Sequence, residues 1–168
     1  MSSGMRRGFI VAAIHLALVG SLGGKLLIDR ATRPRVWARS APIDPDHPLR
    51  GRYVQIRVEG RTGEDLSGSW ESAPVTLRVD NGVLVFDRID ESVGSRLRAS
   101  TTTTTNGERI ARLQQPLAYF IPEHVPDPSI RAPGEELWVE VTLPKQGPPR
   151  PIRLGVKKDG VLTPLDLD

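Results

Sequence analysis

The fold class predicted by this sequence is all-β, a single antiparallel β-sandwich or open barrel, carried behind one N-terminal transmembrane helix. Three observations predict it. Residues 9–28 form one apolar stretch bordered by basic residues, the remainder alternates apolar and polar positions with a period of two, and Asn-Gly or Asp-Gly pairs separate the alternating runs. The expected division is an anchor over residues 1–30 and one all-β domain over residues 31–168.

The anchor comes first. Phe9 to Gly24 runs sixteen residues without a formal charge after Arg6-Arg7, and Leu26-Leu27-Ile28 extends it past Lys25. A hydrocarbon core about 30 Å thick needs about 20 apolar residues, each rising ~1.5 Å. Residues 9–28 reach that length when the Lys25 stem lies along the helix and its ammonium reaches the interface. His15 then lies inside the bilayer in its neutral form, as a tolerated polar residue. Three fates are compatible with the segment, the least expected being a buried or peripheral helix. The expected one is an uncleaved signal-anchor; the next is a signal peptide with Phe9 to Leu18 as its apolar region and Val19-Gly20-Ser21 as small residues at a cleavage point. The orientation signals conflict, since more Arg and Lys follow the segment than precede it and positive-inside counting places that side in the cytoplasm. A signal-anchor places the β domain on the non-cytoplasmic side, and this is the expectation adopted.

Charge separates the two parts. The net +3 suggests a basic protein, but residues 1–39 carry seven Arg and Lys against Asp29, while residues 40–168 carry 16 basic and 19 acidic side chains and net −3. A nucleic-acid-binding domain needs a basic face on its folded part, so nucleic acid is not an expected partner. The chain has no cysteine, which excludes a disulfide scaffold, a thiolate metal site and a lipoprotein anchor.

The body reads as strands. Val54, Ile56 and Val58 alternate with Tyr53, Gln55, Arg57 and Glu59; Val75, Leu77 and Val79 with Thr76, Arg78 and Asp80. Leu137, Val139, Val141 and Leu143 alternate with Trp138, Glu140 and Thr142, and Ile152, Leu154 and Val156 with Arg153 and Lys157. Each run presents one apolar face, as in antiparallel sheets. Val36 and Trp37 stand as a first strand after a basic connector. Asn81-Gly82, Asn106-Gly107 and Asp159-Gly160 supply hairpin signals, because these residues accept the positive φ of a type I′ turn. The threonine run Thr101 to Thr105 predicts a solvent-exposed hairpin arm.

The segment Pro42-Ile43-Asp44-Pro45-Asp46-His47-Pro48-Leu49-Arg50-Gly51-Arg52-Tyr53 is a rigid, charged lead-in. Its prolines restrict the chain to extended or turn geometry, Asp44 and Asp46 can accept bonds from nearby backbone N–H groups, and Gly51 permits a sharp entry into the strand at Tyr53. Asp44-Pro45, Leu49, Arg50, Gly51 and Tyr53 make this segment resemble the GDYXXLXY family of bacterial membrane-anchored proteins. Ile56 stands at that signature's leucine position, Val58 at its last tyrosine and Arg52 in place of its aspartate, so no role of that carboxylate carries over. Tyr119-Phe120-Ile121-Pro122-Glu123 resembles a second stretch of the same family. The resemblance implies an N-terminal hydrophobic segment before one compact domain at the bacterial inner membrane, possible work beside polytopic membrane proteins, and no known activity.

The candidate ligand or partner site is Asp44, Arg50, Gly51, Arg52, Tyr53 and Glu123. Arg grips carboxylate or phosphate through paired N–H bonds, and Tyr offers a flat amphipathic contact. The competing reading is that Asp44 and Arg50 brace the loop locally. No metal site and no cofactor is assigned, although Asp44, Asp46, His47, Glu123 and His124 carry oxygen and imidazole donors suited to zinc or manganese. No Gly-x-Ser-x-Gly elbow, phosphate-cradling glycine loop or triad context occurs, and the lysines after the anchor (Lys145, Lys157 and Lys158) lie in turn-like or exposed settings. Trp37, Trp70 and Trp138 offer a carbohydrate platform as a further binding mode, with Trp138 on the polar register of its strand. The expected function is a non-enzymatic, membrane-anchored envelope module that contacts the bilayer through residues 9–28 and a membrane or envelope partner through its β domain. The alternative is a metal-assisted hydrolase of the cell envelope built on Asp44 to His47 and Glu123-His124.

Overall fold

A computed structural model describes residues 3–42, 53–64, 71–90, 94–104, 106–145 and 147–167. The chain divides into two compact units, Met1–Arg33 and Pro34–Asp168.

Helix α1 (Ser3–Thr32) constitutes the first unit. Within it Arg7–Ile28 is 22 residues long with a mean hydropathy of 1.8 and no burial against protein. At ~1.5 Å per residue that stretch is about 33 Å long, enough to cross a bilayer core. Two of its polar side chains turn onto the helix's own backbone. His15 Nδ1 lies 2.9 Å from the Val11 carbonyl oxygen, and Ser21 Oγ donates to the Leu18 carbonyl at 2.9 Å. Such local bonds lower the cost of placing these groups in an apolar medium.

The second unit is mostly β: β1 (Arg35–Pro42), β2 (Tyr53–Thr62), β3 (Ala73–Asp80), β4 (Val83–Arg88), β5 (Arg98–Thr103), β6 (Arg109–Leu113), β7 (Leu117–Phe120), β8 (Glu135–Thr142), β9 (Arg150–Lys158) and β10 (Val161–Pro164). Among the described residues these strands join in one sheet, in the order β10-β9-β8-β1-β2-β4-β3-β5-β6, with β7 paired to β2 and β6 returning to β2. All pairings are antiparallel except that of β2 with β4.

Strand β2 is the hub, and its length explains why. Its ten residues accommodate β1 along Ile56–Glu59 and then β4 at Arg61 and Thr62 on one edge. The other edge takes β7 at Tyr53–Ile56 and β6 at Glu59–Arg61. Gly60 sits where the first edge changes partner. A Cβ there would lie 2.5 Å from the Leu84 carbonyl oxygen and 2.8 Å from the Phe86 ring, so only glycine permits the approach.

The turns follow the sequence at two sites and depart from it at the third. Asn81 (φ 49°) with Gly82 (φ 76°), and Asp159 (φ 49°) with Gly160 (φ 82°), have the paired positive φ of type I′ hairpins. At Asn106-Gly107 only the glycine is left-handed (φ 79°). There Thr104 N–H donates to the Glu108 carbonyl at 2.8 Å and Gly107 N–H to the Thr104 carbonyl at 2.9 Å, a longer loop that ends on one left-handed residue. The threonine run lies on the expected hairpin, β5 with β6, but only partly exposed: Thr103 faces solvent, Thr101, Thr102 and Thr104 are half-buried, and Thr105 lies outside the described residues.

The predicted alternation sets the core. Val36 and Ala38 of β1, Val54, Ile56 and Val58 of β2, Phe86 of β4, Val139 and Val141 of β8 and Leu154 of β9 join one buried cluster. Glu59 and Glu140 break the simple pattern, because both occupy outward positions and are nonetheless buried.

Candidate functional site

Of the six sequence-predicted site residues, Tyr53 and Glu123 are placed by the structure; Asp44, Arg50, Gly51 and Arg52 lie outside the described residues, as do Asp46 and His47. Tyr53 opens β2 directly opposite Phe120 of β7. Their ring centroids are 6.2 Å apart with the planes inclined at 56°, a tilted pair of the favoured kind. Phe120 is 75 % exposed, which is unusual for so large an apolar side chain on a paired strand. Tyr53, Gln55, Pro116, Leu117, Ala118 and Phe120 line a shallow hollow of about 360 Å³. The two rings therefore form an aromatic corner at the point where the Pro42–Tyr53 lead-in enters the sheet.

Glu123 follows β7, and among the described residues no hydrogen bond or ion pair joins it to that corner. Val125 N–H donates to the Pro122 carbonyl at 3.2 Å and closes a turn with Glu123 and His124 at its exposed tip. Among the described residues no group of three His, Cys, Asp or Glu side chains is arranged to hold a metal ion.

The outer face of β9, β8, β1, β2 and β6 holds a second constellation that sequence reading touched only through its tryptophans. One row runs Gly155, Trp138, Arg39, Glu59 and Arg112 across the five strands. Arg112 donates to Glu59 Oε1 from Nε at 2.8 Å and from Nη2 at 2.5 Å, and Arg39 Nε stands 3.9 Å from Glu59 Oε2. In the neighbouring row Arg153 Nε donates to Glu140 Oε2 at 2.8 Å. Arg39 also pairs with Glu136 at 3.0 Å.

Both indoles on this face are covered by cations. The Arg153 guanidinium lies 5.3 Å from the centroid of Trp37, and Lys157 Nζ 4.6 Å from that of Trp138. Trp138 Nε1 donates to Glu136 Oε2 at 3.2 Å. Gly155 makes room for Trp37, since a Cβ there would lie 2.9 Å from the indole. Trp37 and Trp138 thus join the ion-pair ladder, each with a cation over one face of its ring, and both line a hollow of about 410 Å³ on this side of the sheet. Trp70 lies outside the described residues. Lys157, expected in a turn-like or exposed setting, is half-buried on β9 over an aromatic ring. The signal that would have found this ladder is the charge at alternate outward positions of β1, β2, β6, β8 and β9, but it is readable only once the strands are known to be neighbours.

Compared with protein-family models, curated proteins and solved structures, the chain matches none of them.

Proposed function

We propose that this chain is a non-enzymatic, membrane-anchored module of the bacterial envelope, held in the inner membrane by residues 9–28, with its β body on the non-cytoplasmic side. In this reading the body is an antiparallel sandwich or open barrel that contacts a membrane or envelope protein. The observation that carries the proposal is the aromatic corner of Tyr53 and Phe120, an exposed apolar contact on a chain whose first helix is apolar enough to span a bilayer. Exposed aromatic side chains are favoured anchors of protein contacts, because they desolvate much area at little conformational cost. The resemblance of the Pro42–Tyr53 lead-in to the GDYXXLXY family supports the same reading.

The test is crosslinking in native membranes. Wild-type chain is expected to recover a protein partner that Phe120→Ala, and Arg50→Ala with Arg52→Ala, recover at least about tenfold less well, the range expected for a central interface residue. Equal recovery by properly folded variants excludes this corner as the contact surface. A C-terminal reporter active only outside the cytoplasm is expected to be active, and a stable but inactive fusion reverses the orientation.

A further inference from the structure

Among the described residues strand β3 leaves one edge open. Strand β5 meets it only at Ala73 and Pro74, and Val75 completes the contact by donating its N–H to the Leu97 carbonyl at 3.0 Å and accepting from Ser95 Oγ at 2.8 Å. In an antiparallel strand successive residues direct their N–H and C=O groups to opposite edges. The backbone groups of Leu77 and Val79 therefore face the same side as those of Val75, and among the described residues nothing pairs with them there. Their side chains lie against the core yet are only half-buried, so the core itself is uncovered along this edge.

Beside the edge is a cleft of about 680 Å³, large enough for several residues of an extended chain, with Val75, Leu77, Leu97 and Leu143 in its walls. Arg96 and Lys145 also line it. Among the described residues neither makes an ion pair or hydrogen bond, and none of those that line the cleft is acidic. This contrasts with the outer face, where Arg39, Arg112 and Arg153 are all paired.

We propose that the β3 edge is a docking site for an extended acidic peptide segment of a partner protein. The segment adds as a further strand beside Leu77 and Val79, places alternate apolar side chains into the cleft, and sets carboxylates against Arg96 and Lys145. An unpaired strand edge selects a polypeptide, since only a backbone supplies donors and acceptors at the strand repeat. The two cations, unpaired among the described residues, select its charge. This rests on the reading of the body as a binding module and names the kind of partner it takes.

The test uses the full chain in nanodiscs of zwitterionic lipid and a fluorescein-labelled heptapeptide of alternating valine and glutamate, read by fluorescence anisotropy. Saturable binding is expected. Affinity is expected to fall at least about tenfold with a peptide N-methylated at alternate residues, which keeps every side chain but removes the donors, and by a similar factor with Arg96→Glu plus Lys145→Glu. The charge-reversed chain is checked for an unchanged β-sheet circular-dichroism spectrum; both residues are exposed. No saturation, equal binding of the N-methylated peptide, or equal binding of a valine–lysine peptide overturns the proposal. Crosslinking in native membranes separates the two readings. A partner still recovered by the charge-reversed chain leaves the binding module standing and removes the β3 edge; no partner for the wild type removes the module itself.

Discussion

Glu59 is 5 % exposed and charged, and Arg112 and Arg39 on either side make that combination stable. A buried carboxylate is costly to desolvate, and the two N–H groups that Arg112 directs at Glu59 Oε1 offset that cost. Arg112→Ala is therefore expected to destabilise the chain by about 2 kcal/mol or more, because it strands the carboxylate. Glu59→Leu with Arg112→Leu is expected to recover most of that loss, since both desolvation penalties disappear together. Denaturant unfolding of the full chain in detergent, followed by tryptophan fluorescence, measures both. Arg78 provides the contrast. Asp87, bonded to it at 2.6 Å, holds its guanidinium above the ordinary arginine range; desolvation opposes this, and Asp80 adds a smaller push upward. That pair is exposed to water and screened by it, so Arg78→Ala is expected to lower stability far less than Arg112→Ala in the same measurement.

At the scale of elements, β2 organises the body, and Gly60 is the position where its neighbours change. Gly60→Ala drives a methyl group against the backbone oxygen of Leu84, which cannot move without β4. Gly155→Ala presses on the outer end of the Trp37 indole at 2.9 Å and on the Thr163 backbone oxygen at 3.1 Å, so the side chain has to shift at the cost of its contact with Arg153. Gly60→Ala is thus expected to cost about 3 kcal/mol or to prevent folding, and Gly155→Ala about 1 kcal/mol with a change in tryptophan emission. Thermal unfolding with fluorescence detection ranks the two. Most strands were legible beforehand because period-two alternation is a local property of consecutive residues. The roles of Gly60 and Gly155 were not, because each answers to a strand distant in sequence.

At the scale of the whole molecule, every strand pairing and the whole buried cluster lie within Pro34–Asp168, while the apolar span lies within Met1–Arg33. Residues 34–168 expressed alone are expected to give a water-soluble protein with a β-sheet circular-dichroism spectrum and cooperative unfolding. The full chain is expected to stay with membranes through alkaline extraction. A fragment that aggregates or lacks cooperative unfolding counts against independence of the second unit. The sequence by itself determined the apolar helix, the alternating strands, the two type I′ turns and the division of charge between the N-terminal flanks and the body, since each depends on neighbouring residues and on transfer from water. Of the candidate site it singled out Tyr53 but missed Phe120 as its partner, and it read the tryptophans without the charges that cover them. Only the tertiary structure decided the hub at β2, the ladder around Glu59, the pairing of Tyr53 with Phe120 and the open edge of β3. Those depend on which strands become neighbours, and identical alternating patterns are compatible with many pairings until long-range packing selects one.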